Sequence, residues 1–302
     1  MVDPTESGLK AHFKAQLERK YAEISNFQGL VVDRSDWNSL YNYDFDDNAS
    51  FINNRTAHLA QYSYIDNIAA LREVMVAKQG AMKHNETVML QNALGFSQLS
   101  LMKDFDGTFS EGAIVNAVGL LGARSTTILW TSNAKECCGS PAVADEFFQQ
   151  RLYLKVFPMA PFPQADHCIG SDPKAEAYYL AYGQMMRSMV GAKWLLKAHA
   201  VNVTGGPASA NAFEMPTAPG SATLWAVMLG GNQTTAELSV GYLPETELGV
   251  AEATKFEVLH PGASDGWTPL LFGGGGGGVG EAREAQLKVP LVQGCAMVRV
   301  AK

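Results

Sequence analysis

The sequence predicts an α/β fold in which a parallel sheet covered by helices is followed by an antiparallel β-sandwich. In residues 5–200, short apolar runs alternate with longer stretches whose apolar residues have helical spacing, as in parallel strands joined by helices. After residue 200 the helical periodicity fades, and short β-type runs follow one another closely, which is typical of a sandwich. We therefore expect a first domain over residues 1–200 and a second over residues 201–302.

The individual elements follow from the period of the apolar residues. Helical spacing predicts helices over residues 9–24, 65–82, 143–153 and 174–189. Short apolar runs predict strands of the first domain over residues 29–32, 87–90, 107–109, 126–129 and 154–157. In the second domain, β-type runs cover residues 222–229, 236–240, 255–259, 285–289 and 296–300.

Composition excludes several classes of function. The 302 residues carry a net charge of −7 and no block of lysine and arginine, so we do not expect a nucleic-acid partner. No apolar run is long enough to span a bilayer, and we expect no membrane partner. The first residues lack the segments of a signal peptide, whereas five Asn-x-Ser/Thr sequons are compatible with secretion, so the localisation is left open.

Four cysteines are too few and too scattered for a disulfide framework. Cys137 and Cys138 are adjacent, and we interpret them as two free thiols in a loop, with a redox pair as the alternative. His167 beside Cys168 lacks the spacing of metal ligands. We expect neither a metal nor a cofactor.

Polar and aromatic residues follow the ends of the predicted parallel strands. They are Asp33 and Arg34 after the first strand, Gln91 and Asn92 at the second, Ser110 and Glu111 at the third, and Trp130 at the fourth. The fifth strand leads into a proline-rich loop that contains Asp166 and His167. Because reactive groups of parallel sheets lie just past the carboxyl ends of the strands, we expect an active site at this edge.

Asp33 and Glu111 are the candidate catalytic pair. Asp33 ends an apolar run, so its charge must reach the rim of the sheet or pair with a cation. Arg34 could keep it ionised, as a nucleophile requires, although a structural ion pair is the alternative. Glu111 follows Phe109 in an apolar setting that suits a general acid, although it could instead cap a helix beginning near residue 113. Together the two carboxyl groups fit the arrangement used for glycoside hydrolysis.

The remaining candidates would bind substrate. Trp37 and Trp130 offer flat rings that can stack on sugars. The complete set of expected substrate-binding residues is Arg34, Asp36, Trp37, Asn92, Trp130, Asp166 and His167. The acidic residues 44–47 could bind hydroxyl groups or calcium, but we interpret them as a solvated loop.

Three segments resemble a family of glycoside-hydrolase-like proteins. They are residues 29–37 (GLVVDRSDW), residues 106–111 (DGTFSE) and residues 153–163 with Asp166 and His167; the closing residues 287–300 are also similar. The resemblance implies a (β/α)8, TIM-type barrel followed by a C-terminal β-sandwich. By similarity to retaining glycosidases of the α-galactosidase-like clan, Asp33 would follow strand four as nucleophile and Glu111 would follow strand six as acid/base, where those enzymes often have aspartate.

Two expectations follow from the resemblance. The barrel is partial, because five strands precede the sandwich where eight are needed, so we expect a fragment that lacks the first strands. The expected function is cleavage of a glycosidic bond in a carbohydrate substrate by a two-carboxylate, retaining mechanism. The alternatives are a non-catalytic carbohydrate-binding protein or degenerate homologue, and an unrelated α/β enzyme such as a lyase with a carboxylate base.

Overall fold

The structure is a computed structural model that describes fourteen segments of the chain. These are residues 8–23, 29–32, 66–77, 88–92, 105–110, 126–129, 137–158, 173–195, 200–204, 206–214, 223–228, 232–241, 255–270 and 284–301. The chain divides into two compact units, Met1–Ser110 and Glu111–Lys302.

The first unit contains two described helices and three strands. Helix α1 is Leu9–Glu23 and helix α2 covers residues 66–77. The strands are β1 (Gly29–Val32), β2 (Val88–Asn92) and β3 (Gly107–Ser110). All three strands are parallel and pair in the order of the chain, β1 with β2 and β2 with β3.

Both helices of this unit contact the same face of the strands. Leu17 of α1 and Met75 of α2 belong to one buried cluster. The same cluster contains Met89 of β2, and Leu30 and Val32 of β1 pack against it. Because side chains alternate between the two faces of a strand, these three strand residues mark one face, and α1 and α2 both cover it.

The second unit contains two described helices of more than two turns and eleven strands. The helices are α3 (Pro141–Leu154) and α4 (Pro173–Ser188). The strands are β4 (Thr126–Leu129), β5 (Val156–Pro158), β6 (Lys193–Trp194), β7 (Val201–Thr204), β8 (Ser209–Glu214), β9 (Thr223–Met228), β10 (Thr235–Gly241), β11 (Lys255–Leu259), β12 (Thr268–Leu270), β13 (Glu284–Pro290) and β14 (Cys295–Ala301). Strands β4 and β5 pair in parallel.

The remaining strands of the second unit form two antiparallel sheets. One has the order β12-β11-β14-β9-β8-β6 and the other has the order β13-β10-β7. Strand β14 is central in the larger sheet, and its residues Cys295 to Val298 are all buried. A strand that is covered on both faces needs such an uninterrupted apolar run.

The two faces of β14 pack against different partners. Ala296 and Val298 belong to a core that also contains Leu238 of β10 and Leu287 of β13, so the two antiparallel sheets share this core. The alternate residues Cys295 and Met297 belong to a second cluster, which contains buried residues of α3 and α4. The larger sheet is therefore covered by the smaller sheet on one face and by the two helices on the other.

The predicted mixture of helices, parallel strands and antiparallel sheets is confirmed. Strands β1, β4 and β11 have the predicted bounds, and α1 and α4 each differ from their predicted limits by one residue. No closed barrel is evident among the described strands. The predicted domain boundary at residue 200 remains a prediction. None of the helices that the structure describes is long and apolar enough to cross a membrane.

Candidate functional site

The parallel strands of the first unit end at one edge, which is where the sequence predicts the active site. Gly29 to Val32 of β1 lie opposite Val88 to Gln91 of β2. Leu90 to Asn92 of β2 lie opposite Gly107 to Phe109 of β3. Each strand thus ends one residue beyond the preceding one, because Val32 lies opposite Gln91 and Asn92 lies opposite Phe109. Asp33 follows the last residue of β1 along the chain, and Glu111 follows the last residue of β3.

The predicted site residues lie outside the residues whose side chains are described. Asn92 is the last residue of β2, but its side chain is among those not described. The others are Asp33, Arg34, Asp36, Trp37, Glu111, Trp130, Asp166 and His167. Their grouping into one site therefore remains a prediction.

Asp106 lies at the opposite end of β3 and connects three elements of the first unit. Arg72 of α2 donates from both terminal guanidinium nitrogens to the Asp106 carboxylate, and its Nη2 lies 2.9 Å from Oδ1. The backbone amide of Met89 donates to Oδ2 at 2.8 Å. In return, the Asp106 amide donates to the Met89 carbonyl at 2.8 Å. These bonds fix α2 and the amino ends of β2 and β3, so Asp106 has a structural role here.

A polar network lies between α3 and α4 of the second unit. The Tyr182 hydroxyl donates to Asp145 Oδ1 at 2.8 Å. Gln149 Nε2 donates to that hydroxyl at 3.3 Å and to the Gln293 carbonyl at 2.5 Å. Tyr182 also stacks on Phe148, with ring centroids 5.0 Å apart. Burial raises the pKa of Tyr182 far above its ordinary value, so this hydroxyl is a hydrogen-bonding group rather than an acid or base.

The interpretation of Cys137 and Cys138 as free thiols is wrong. The two residues form a disulfide, and both are buried against the apolar residues of α3 and α4. The sequence pattern indicated only a loop, and adjacency of two cysteines does not distinguish free thiols from a disulfide. Cys295 in the same cluster is a buried thiol, and burial raises its pKa to about 12. A thiol that stays protonated is a poor nucleophile.

Lys155 is a buried cation that the sequence analysis did not single out. It ends α3 in a left-handed conformation, with φ of 54°, and only 3% of its surface is exposed. Burial, with a smaller contribution from the charge of Lys193, lowers the pKa of Lys155 to about 8. The sequence pattern did not predict the burial of Lys155, because a lysine just after a helix is usually solvated.

Comparisons with known proteins do not assign this chain to a family. No protein-family model matches it, and no curated protein matches it significantly. Within the described segments, no group of three histidine, cysteine, aspartate or glutamate residues could hold a metal ion. The acidic residues 44–47 lie outside those segments.

Proposed function

We propose that this chain is a glycoside-hydrolase-like protein that cleaves a glycosidic bond with Asp33 and Glu111. Asp33 attacks the anomeric carbon while Glu111 protonates the leaving oxygen, giving a covalent glycosyl–enzyme and a free alcohol. Glu111 then takes a proton from water, and the resulting attack releases the sugar with its configuration retained. Arg34 keeps Asp33 ionised in this proposal. Asp36, Trp37, Asn92, Trp130, Asp166 and His167 bind the carbohydrate.

The winding of the first unit is the observation that carries the proposal. Strands β1, β2 and β3 pair in the order of the chain, and α1 and α2 pack on the same face of them. A (β/α)8 barrel keeps all its helices outside, and one half of a doubly wound sheet also has its helices on one face. This winding is therefore compatible with the barrel that the proposal requires.

The opposite face of the same strands is apolar, and it is partly exposed in the described residues, because Val31 and Val88 are 48% and 41% exposed. That face carries Val31, Val88 and Leu90, because these residues alternate with Leu30 and Met89 of the buried cluster. Branched apolar residues fill the interior of such barrels in layers. We therefore propose that this face lines the inside and that the carboxyl ends of the strands form the site.

The distance between β1 and β3 suits two carboxylates that act together on one glycosidic bond. Neighbouring strands lie about 4.8 Å apart, so two strands separated by a third are about 10 Å apart. Aspartate and glutamate side chains that converge from two such strands can bring their carboxyl groups to the separations that glycosidases use, about 5–5.5 Å for retention and about 6.5–9.5 Å for inversion. In this proposal, Asp33 and Glu111, which follow β1 and β3, converge to such a separation.

The antiparallel sheets of the second unit support the proposal of a C-terminal β-sandwich. Its two antiparallel sheets share one apolar core, as the layers of a β-sandwich do. We propose that residues 201–302 form the C-terminal β-sandwich and residues 1–200 the catalytic domain. The helices α3 and α4 would then belong to the catalytic domain while covering the outer face of the larger sheet.

Steady-state kinetics on aryl glycosides tests the proposed function. The chain is assayed against nitrophenyl glycosides of common hexoses in both anomeric forms, as wild type and as Asp33→Asn, Glu111→Gln and Glu111→Ala. We expect Asp33→Asn to be inactive, and we expect Glu111→Gln to lower kcat by about 10²–10⁴-fold. Azide should restore turnover to Glu111→Ala, because a small anion attacks the glycosyl–enzyme without a general base.

The matched control is Glu18→Gln, which changes an exposed carboxylate on α1 and should keep wild-type activity. Hydrolysis that survives Asp33→Asn would remove this residue from the nucleophile role. Glycan binding that Trp37→Ala abolishes, with no hydrolysis of any glycoside, would instead identify a carbohydrate-binding protein.

A further inference from the structure

The disulfide between Cys137 and Cys138 is a chemical group that neither the packing of the fold nor the proposed glycosidase chemistry requires. It lies directly before α3, where Ser140 caps the helix and Pro141 is the first helical residue. Cys137 is fully buried, and Cys138 is 9% exposed. Both belong to the cluster that joins α3 and α4 to the larger antiparallel sheet.

A disulfide between adjacent residues is poorly suited to be a structural staple. The stabilisation that a disulfide provides grows with the length of the loop that it closes. Cys137 and Cys138 are separated by one position in the chain, so closing this ring restricts the unfolded chain very little. Stabilisation of the folded chain by loop closure therefore does not account for the bond.

The pair lies at a junction between helical segments. Cys137 and Cys138 have helical backbone conformation, and two residues separate Cys138 from Pro141, the first residue of α3. Both residues are buried, and Cys138, at 9% exposed, is less enclosed than Cys137 at 0%, so an external thiolate reaches Cys138 first when the start of α3 opens.

Breaking the bond would change the packing at the start of α3. Two thiols need van der Waals separation, whereas bonded sulfur atoms are much closer, so reduction enlarges the pair within a close-packed cluster. The same cluster contains Phe147 and Phe148 of α3 and Tyr182 of α4. The first turns of α3 would then shift or loosen against α4.

We propose that Cys137–Cys138 is a reversible redox site that controls how tightly α3 packs in the second unit. A dithiol reductant supplies one thiolate, which attacks Cys138 Sγ, forms a mixed disulfide and releases Cys137 as a thiolate that takes up a proton. The second thiol of the reductant then attacks its own sulfur in the mixed disulfide and releases Cys138, which is protonated in turn. Two electrons and two protons reach the protein, and the reductant leaves as a disulfide.

Differential alkylation and hydrogen exchange of the full chain test this proposal. The protein is equilibrated without denaturant in buffers of reduced and oxidised dithiothreitol, alkylated and mapped by mass spectrometry. We expect Cys137 and Cys138 to become alkylated together in one two-electron transition. On reduction, amide exchange over residues 141–154 should become about tenfold faster.

The variant Cys137→Ala/Cys138→Ala should show the same exchange in both buffers, whereas Cys168→Ala should keep the wild-type response. Three results would overturn the proposal. They are alkylation of the pair in the oxidised buffer, reduction that requires denaturant, and an exchange rate over residues 141–154 that reduction leaves unchanged. The mass map reads the redox state directly, so a variant that folds poorly does not obscure the outcome.

Discussion

Individual residues of the first unit differ in how strongly they join its elements. The Asp106–Arg72 pair is about one-third exposed on each side chain and is supported by the Met89 amide. The Lys14–Glu73 ion pair joins α1 to α2 but is more exposed, at 36% and 61%. Exposed ion pairs contribute little, whereas a charged group that also holds backbone donors contributes more.

We therefore expect Asp106→Asn to destabilise the chain more than Lys14→Ala does. Loss of the charged hydrogen bonds should lower the free energy of unfolding by about 1–3 kcal/mol, against ~0–1 kcal/mol for the exposed pair. Urea unfolding monitored by circular dichroism measures both changes. Equal effects would show that Asp106 does not hold α2 to the strands.

Lys155 is the residue whose charge state should be visible in the pH dependence of stability. Its folded pKa of about 8 lies below the ~10.4 of an unfolded lysine. Between these pH values the unfolded chain binds more protons, so this group makes the free energy of unfolding rise with pH. The raised pKa of Cys295 has the opposite effect above its ordinary value, because the unfolded thiol then loses its proton first.

Comparing variants isolates the contribution of Lys155. In Lys155→Met the rise in stability between pH 8 and 9 should disappear, while Lys288→Met, at an exposed lysine of β13, should keep it. Denaturant unfolding at half-unit pH steps provides the measurement. If the pH profile of Lys155→Met runs parallel to that of the wild type, burial does not lower the pKa of this amine.

At the scale of elements, the pairing of β1 with β2 depends on a glycine. A Cβ at Gly29 would lie 2.5 Å from the Val88 carbonyl oxygen, which is a backbone atom of the neighbouring strand. Gly183 of α4 differs, because a Cβ there meets nothing within 4 Å. The same substitution should therefore have opposite effects at the two sites.

We expect Gly29→Ala to destabilise the chain by about 1–3 kcal/mol, because β1 must move away from β2. Gly183→Ala should stabilise it by about 0.5–1 kcal/mol, because alanine favours the helical interior. Thermal unfolding of the two variants in parallel gives both signs. A Gly29→Ala protein as stable as the wild type would contradict the close approach of the two strands.

Element bounds could be predicted because their signals are local. The apolar run of β11 and the helical spacing of α4 are visible in consecutive residues. Strand β8 was missed, because its sequence SANAFE has small and polar residues that alternate too weakly. The strand predicted over residues 154–157 begins two residues later, because α3 continues to Leu154 and ends on the left-handed Lys155, where a glycine would be expected.

Contacts between distant residues could not be predicted in the same way. Arg72 and Asp106 are 34 positions apart, and Gln149 bonds to the carbonyl of Gln293 across 144 positions. Such pairs depend on how the elements pack, which no local pattern encodes. The cysteine pair shows the same limit, since adjacent cysteines in a sequence are compatible both with two free thiols and with the disulfide that the structure shows.

At the scale of the whole molecule, the two units have different architectures. The first has parallel strands in chain order with helices on one face, and the proposed function needs Asp33 and Glu111, which follow these strands along the chain, to act as a pair. The second has two antiparallel sheets that share one core. The identity of the nucleophile distinguishes the proposed glycosidase from its alternatives.

Covalent labelling with a 2-deoxy-2-fluoro aryl glycoside tests that identity most directly. The fluorine slows hydrolysis of the glycosyl–enzyme, so a retaining enzyme accumulates it, and peptide mapping locates the sugar. We predict one sugar per chain on Asp33, and none on Asp33→Asn. A label on any other residue, or continued turnover of the parent glycoside with no label, would contradict the two-carboxylate account.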